Sequence, residues 1–164
     1  IKASGNFIYC ESEFECMQNL KVLMQENQWS SLYCREERIK NMLLHGRVPF
    51  LDSENDFENM EAGITGCEFL IARLGSIMVS SMQECGRRMF VYPPVHIVVA
   101  HASQLVPDLK HALNEIKLKY SNKMPSMISV ITGPSRTADI EKTLVMGAHG
   151  PKSVYVFFID DKVE

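Results

Sequence analysis

Apolar and polar positions along this chain switch repeatedly between two periods, with short β-rich runs followed by stretches of helical spacing. Residues 6–10 (NFIYC) read as a strand. Ser12-x-x-Glu15 behind them has the form of a capping box, in which a hydroxyl and a carboxylate satisfy free N–H groups of a starting helix. Phe14, Met17, Leu20, Leu23 and Met24 then recur at helical spacing, so one face is expected to pack inward. Residues 31–34 (SLYC) read as a second strand. A charged helix follows from Arg35 through Leu44 and ends near Gly46, with Arg35, Glu36, Glu37 and Arg38 expected on a solvated face. The order βαβα predicts a parallel sheet with right-handed crossovers.

The middle of the chain is less regular. Asp52, Glu54, Asp56, Glu58 and Glu61 make an acidic segment, which resembles a calcium loop only in its alternation. Phe57 stands where such a loop needs Gly, and Gly63 where it needs Glu, so an acidic surface segment is the better reading. Gly63-Ile64-Thr65-Gly66 reads as a turn into a short amphipathic piece at 67–74. Residues 76–81 (SIMVSS) read as a strand and Gly86-Arg87-Arg88 as a turn. Pro93-Pro94 stiffens the entry to a buried strand at 96–100 (HIVVA), where His96 is either a structural, hydrogen-bonded group or a ligand contact.

The longest helical signal runs from Ser103 to Tyr120. Leu105, Leu109, Ala112, Leu113, Ile116 and Tyr120 form its apolar stripe, with Pro107 in the first turn. Lys117, Lys119 and Lys123 crowd its carboxyl end, where cations complement the helix dipole. Strands are then expected at 127–131 and 154–159. Between them lies the chemically richest stretch of the chain, ITGPSRTADIEKTLVMGAHGP at 131–151, expected as a βαβ unit with a short helix.

A Gly-Pro-Ser-Arg-Thr loop at the start of a helix would present N–H groups and the positive dipole end to an anion. In that arrangement Gly133 and Pro134 shape the loop and Ser135 and Thr137 donate hydroxyls. Arg136 offers a clamp and Asp139 a carboxylate. The plainer reading has Thr137 as an N-cap, Asp139 and Glu141 complementing the dipole, and Arg136 in solvent. Neither a P-loop nor a Gly-x-Gly-x-x-Gly fingerprint is present. At the far end Gly147 is placed to stop the helix, and His149-Gly150-Pro151 to turn the chain into the last strand. His149 is a candidate acid/base or a hydrogen-bond donor joining the two loops. In an ordinary crossover the second loop enters the next strand at the opposite end, so His149 reaches the first loop only if the geometry is compact.

Composition narrows the classes. At 164 residues the chain fits one domain with its own core. A net charge of -3 and a pI near 6.0 argue against a nucleic-acid binder, and no apolar run approaches the ~20 residues of a membrane span. The five cysteines, Cys10, Cys16, Cys34, Cys67 and Cys85, contain no Cys-x-x-Cys spacing. They read as free buried thiols of a cytoplasmic protein, with no metal or cluster site in this chain. The chain opens on Ile1, so a preceding segment is expected.

The run Gly133-Pro134-Ser135-Arg136-Thr137-Ala138-Asp139-Ile140-Glu141, followed by Gly147-Ala148-His149-Gly150-Pro151, resembles the signature of the LUD domain family of lactate-utilisation proteins. Gly63-Ile64-Thr65-Gly66, Gly75-Ser76-Ile77, Gly86-Arg87 and Pro93 with His96-Ile97 extend the resemblance, and put Thr65, Gly66, Arg87 and His96 among the further site candidates. The resemblance implies an α/β fold, a single layered domain with a mostly parallel Rossmann-like sheet, similar to the sugar-phosphate isomerase and CoA-transferase superfamily. It also implies a bacterial cytoplasmic system oxidising L-lactate to pyruvate, with iron–sulfur clusters on partner subunits and no cofactor in this chain. Where family members commonly read Ala-Glu-Thr-Gly, this chain has Ala72-Arg73-Leu74-Gly75, so no role of that Glu-Thr pair carries over. Three functions stay open. One is a non-redox subunit binding a small anionic metabolite at the two loops, and another an enzyme on a phosphorylated or CoA-linked substrate. The third is a scaffold without a ligand. The sequence assigns no catalytic residue.

Overall fold

The structure, a computed structural model, describes residues 4–140, 143–147 and 149–160. In chain order the first half contains β1 (Asn6–Cys10), α1 (Glu13–Glu26), β2 (Leu32–Cys34), α2 (Glu37–Gly46) and β3 (Phe50–Leu51). A 3-10 turn at Glu54–Asn59 leads to β4 (Ala62–Thr65), β5 (Phe69–Ile71) and β6 (Ser76–Ser80), and a second at Arg87–Phe90 to β7 (Val95–His101). The last part holds β8 (Leu105–Val106), α3 (Leu109–Lys119), β9 (Ile128–Ile131), β10 (Arg136–Ile140), β11 (Thr143–Met146) and β12 (Ser153–Ile159).

Six strands form a wholly parallel sheet in the order β1-β12-β7-β4-β2-β3. Its central strands β2, β4 and β7 are buried on both faces, as a parallel sheet requires. One face meets α1 and α2 through Cys10, Cys34, Ile64, Ile97, Val99 and Phe157, against Met17, Leu20 and Leu43. The other face, with Tyr33, Val98, Ala100 and Val154, packs on Leu70, Ile77 and Val79 of a second sheet. That second sheet has the order β8-β5-β6-β9 and is mainly antiparallel. Its outer face is covered by α3 through Ala112 and Ile116 on Ile71 and Met78. The layers are therefore helix, parallel sheet, second sheet, helix.

The first helices form as their sequence dictates. Ser12 caps α1, its Oγ accepting from the Glu15 N–H at 3.2 Å, while Glu15 reaches back to the Glu11 N–H at 2.7 Å. Cys16, Leu20 and Met24 recur every four residues on its buried face. Gly46 closes α2 where the two helices meet, since a Cβ there would lie 2.5 Å from Met17 Cγ.

Several expected elements differ, and the turn expected at Gly63–Gly66 is the strand β4 of the parallel sheet. The helix foreseen over 103–120 begins only at Leu109, capped by Asp108, whose side chain accepts from the His111 N–H at 3.0 Å. Pro107 disfavours a helical conformation at Val106, and Leu105 and Val106 pair instead with Leu70 and Ile71. Lys119 does more than complement the helix dipole, because its Nζ lies 2.7 Å from the buried Glu68 carboxylate. The strands at 76–80 and 128–131 exist, but they pair with each other in the second sheet and not in the parallel one.

Candidate functional site

The expected βαβ unit at 131–151 is a β-hairpin. β10 and β11 pair antiparallel through Arg136↔Met146, Thr137↔Val145 and Ile140↔Thr143, with an irregularity between Thr137 and Ile140. The reason lies in its ends. The Gly147 N–H donates to the Ser135 carbonyl at 3.0 Å, and the Ser135 N–H to the Pro151 carbonyl at 2.9 Å, so the chain must return to where it left. A ten-residue helix would carry it about 15 Å away, whereas a hairpin doubles back. The β-branched residues Thr137, Ile140, Thr143 and Val145 favour that choice.

The anion cradle at a helix N-terminus is thereby lost. Pro134 is buried, Ser135 half-buried and Arg136 exposed, while Thr137 and Asp139 fall within β10. Glu141 and Ala148 lie outside the described residues. The two loops nevertheless converge: a Cβ on Gly150 would stand 3.2 Å from Ser135 Cβ. Backbone hydrogen bonds join them, and His149 is exposed beside the junction.

What the loop at Gly133 does adjoin is a cavity of about 280 Å³ between the two sheets. Leu70, Ile71 and Ile77 of the β5–β6 hairpin form one wall, and Val154 and Val156 of β12 the other. Gly5, Asn6 and Phe7 at the start of β1 and the turn residues Ala72 and Gly75 complete it. Ser76 Oγ and Thr132 Oγ1, 2.7 Å apart, tie the two motif-bearing segments together. The cavity opens at the amino ends of β1 and β12, not outside the carboxyl ends of parallel strands where the sequence order placed the site. Arg73 and Leu74, the positions that depart from the family pattern, are exposed in the same turn.

The carboxyl-end crevice exists, and the protein fills it itself. β2 runs on to β3 on one side and β4 to β7 on the other, so the sheet's switch point lies between Cys34 and Thr65. Glu36, expected in solvent, folds into it. Its Oε1 accepts from the Gly66 N–H at 3.1 Å and from Gln83 Nε2 at 3.4 Å, and a Cβ on Gly66 would approach its Oε2 to 2.9 Å. Burial raises the Glu36 carboxyl above the usual range, against the hydrogen bonds that hold it. Thr65 Oγ1 sits 2.8 Å from His96 Nε2 and donates to the Gly66 carbonyl at 2.9 Å. The hydroxyl's single proton goes to the carbonyl, so the His96 Nε2–H donates and Nδ1 is a buried, unpaired acceptor. Burial alone lowers the His96 pKa to about 4. Three sequence candidates, Thr65, Gly66 and His96, thus meet here as packed structure. Arg87 does not join them; it is exposed and donates to Ser126 Oγ.

Sequence reasoning passed over Glu36, Gln83 and Glu68. Glu68 is buried and accepts from Ser80 Oγ at 2.5 Å, Tyr120 Oη at 2.9 Å and Lys119 Nζ at 2.7 Å. The signals were a carboxylate two residues past a strand for Glu36 and a lone carboxylate inside the apolar run Cys67-Glu68-Phe69-Leu70-Ile71 for Glu68, while Gln83 carried none. The cysteines are free and buried as expected. Desolvation pushes every thiol up, Cys34 to about 12, so none is poised as a nucleophile. The acidic segment pairs with cations, Glu54 with Arg35 and Arg88, and Asp52 with Lys40. Among the described residues no three His, Cys, Asp or Glu side chains cluster to hold a metal, and no helix is long and apolar enough to cross a membrane.

The LUD domain family model matches residues 2–159. The chain belongs to the LUD domain family. Among relatives of this LUD domain, an uncharacterized protein of Neisseria meningitidis serogroup B is 39% identical over 103 residues, covering 63% of this chain and 44% of that protein. Lactate utilization protein C of Bacillus subtilis is 37% identical over 106 residues, 63% of this chain and 44% of its own. The protein of the same name from Shouchella clausii is 35% identical over 115 residues, 68% of this chain and 50% of its own. The chain thus spans about half the length of the curated relatives it matches. A crystal structure of a DUF162 family protein from Deinococcus radiodurans superposes with a TM-score of 0.68 at 17% identity, covering 96% of this chain and 89% of that one, which establishes the shared fold.

Proposed function

We propose that this LUD domain is a non-redox, ligand-binding component of a lactate-utilisation system, and that its ligand sits in the cavity between the two sheets. The observation that carries the reading is convergence. The segment at 72–76 and the loop at Gly133 lie far apart in sequence, belong to different family motifs, and border one 280 Å³ space. The names of the Bacillus subtilis and Shouchella clausii relatives support the pathway. Iron–sulfur subunits are the proposed partners for the electron-transfer steps, because the buried, protonated thiols of this chain are poor ligands for a cluster.

The test has two arms. In a lactate-grown host, loss of the gene is expected to abolish growth on L-lactate, and unimpaired growth would overturn the pathway assignment. In vitro, thermal unfolding is followed with lactate, pyruvate, sugar phosphates, nucleotides and CoA esters, for the wild type and for Ala72→Trp, which fills the cavity from an exposed rim position. A midpoint raised in the wild type and unmoved in Ala72→Trp is expected, since a ligand that binds only the folded state stabilises it. Equal shifts in both proteins would place the ligand elsewhere.

A further inference from the structure

The lining of the cavity is selective in what it lacks. Among the described residues, no ionisable side chain borders it. A carboxylate such as that of lactate or pyruvate, seated wholly inside, would lose its water with no counter-charge to replace it. Both walls are branched aliphatic, Leu70, Ile71 and Ile77 facing Val154 and Val156 across the gap between the sheets. Apolar cavities of about 150 Å³ accept benzene, and the space here, about 280 Å³, has room for a second fused ring.

Phe7 of β1 adds the rest. At the rim, it is 63% exposed and lies 5.7 Å from the half-buried Phe158 ring, which Tyr9 also contacts at 6.1 Å. An exposed aromatic ring beside an apolar slot is a ready stacking partner for a bound ring. Asn6 borders the same slot with its backbone, since its side chain alternates with that of Phe7 and shares the helix-covered face of Cys10. Ser76 contributes less, its hydroxyl being engaged by Thr132. Gly75 and Gly133, at φ +61° and +77°, hold the two bordering loops in conformations that L side chains rarely adopt, so the concavity belongs to the backbone.

We propose that the cavity takes an uncharged mono- or bicyclic aromatic ring, stacked against Phe7, with any charged part of the ligand left outside. This rests on the cavity being the ligand site and adds what enters it.

The experiment is an equilibrium titration of wild type, Phe7→Leu and Ala72→Trp with two sets of probes. Adenosine, nicotinamide and indole are the neutral rings; lactate, pyruvate and inorganic phosphate are the small anions. Far-UV circular dichroism checks that each variant is folded. At least one ring probe is expected to bind the wild type. Phe7→Leu should weaken it by about two- to tenfold, the range of one aromatic stacking contact, and Ala72→Trp should abolish it. If only the anions bind, and Ala72→Trp removes them, the ring assignment is overturned while the cavity remains the site. If no probe binds, or ring binding survives in Ala72→Trp, both the ring and the cavity are overturned.

Discussion

His96 gives a stability prediction with a definite sign. Its ring is fully buried beside Phe90, hydrogen-bonded through Nε2 to Thr65, and held neutral with a pKa lowered from 6.5 to about 4. In the unfolded chain it titrates near 6.5. Between those values the unfolded state binds the extra proton, so the contribution is present above pH 6.5 and is lost as pH falls towards 4. Each pH unit crossed in that window costs about 1.4 kcal/mol, the free energy of binding one more proton in the unfolded state. From pH 7 to pH 5 the loss is therefore about 2 kcal/mol, rising to about 3 kcal/mol below pH 4. The assay is urea unfolding at pH 7, 6 and 5 for the wild type and His96→Gln, whose amide nitrogen replaces Nε2 opposite Thr65. Carboxylates change stability over the same range in both proteins and cancel in the difference. The variant should be less stable at pH 7 and should close the gap by about 2 kcal/mol at pH 5. A constant gap would refute the reasoning. Should His96→Gln fail to fold, the imidazole C–H resonances of the wild type decide: His96 titrating near 6.5 refutes it equally.

Gly63 underlies Pro93 and Met89, and a Cβ there would lie 2.7 Å from Pro93 Cγ and 2.8 Å from Met89 Cε. Gly63→Ala should therefore cost about 1–3 kcal/mol in urea unfolding. Glu68→Ala removes the acceptor shared by Ser80, Tyr120 and Lys119, and should cost about 3 kcal/mol. Hydrogen exchange over 109–119 should rise in that variant, because α3 loses its polar tie to the second sheet. Ser12→Ala should lower stability by about 1 kcal/mol through loss of the α1 cap, seen as faster exchange at the Glu15 amide. All five thiols should resist labelling by a thiol reagent in native buffer and react on unfolding, since each is buried and its thiolate disfavoured.

The parts of this fold that were legible in the sequence are those whose energy is local. The cap at Ser12, the four-residue recurrence of Cys16, Leu20 and Met24, and the unbroken apolar run of β7 define their elements without reference to anything distant. Free buried cysteines and the surface character of the acidic segment were equally readable. The candidate site was legible only as a set of motifs. Gly133 and Gly75 were both singled out, and the structure brings them to one cavity. The second loop returns to the first through Gly147, Gly150 and Pro151, yet the helix that was to give the first loop its dipole is absent.

The sequence by itself determined which segments are strands and helices over most of the chain, which faces are apolar, and the family. It could not determine strand partnership. Residues 76–80 and 128–131 carry the same β-rich apolar signal as β7 and β12, but belong to a different sheet. A strand's pattern specifies a face to be covered and not the neighbour that covers it. The hairpin at 136–146 followed from closure of its ends at Ser135, Gly147 and Pro151, a contact no local propensity contains. The cavity and the Glu36 plug are likewise tertiary products. The first is the gap where two sheets diverge at the start of β1, and the second is a carboxylate that a buried N–H draws out of solvent.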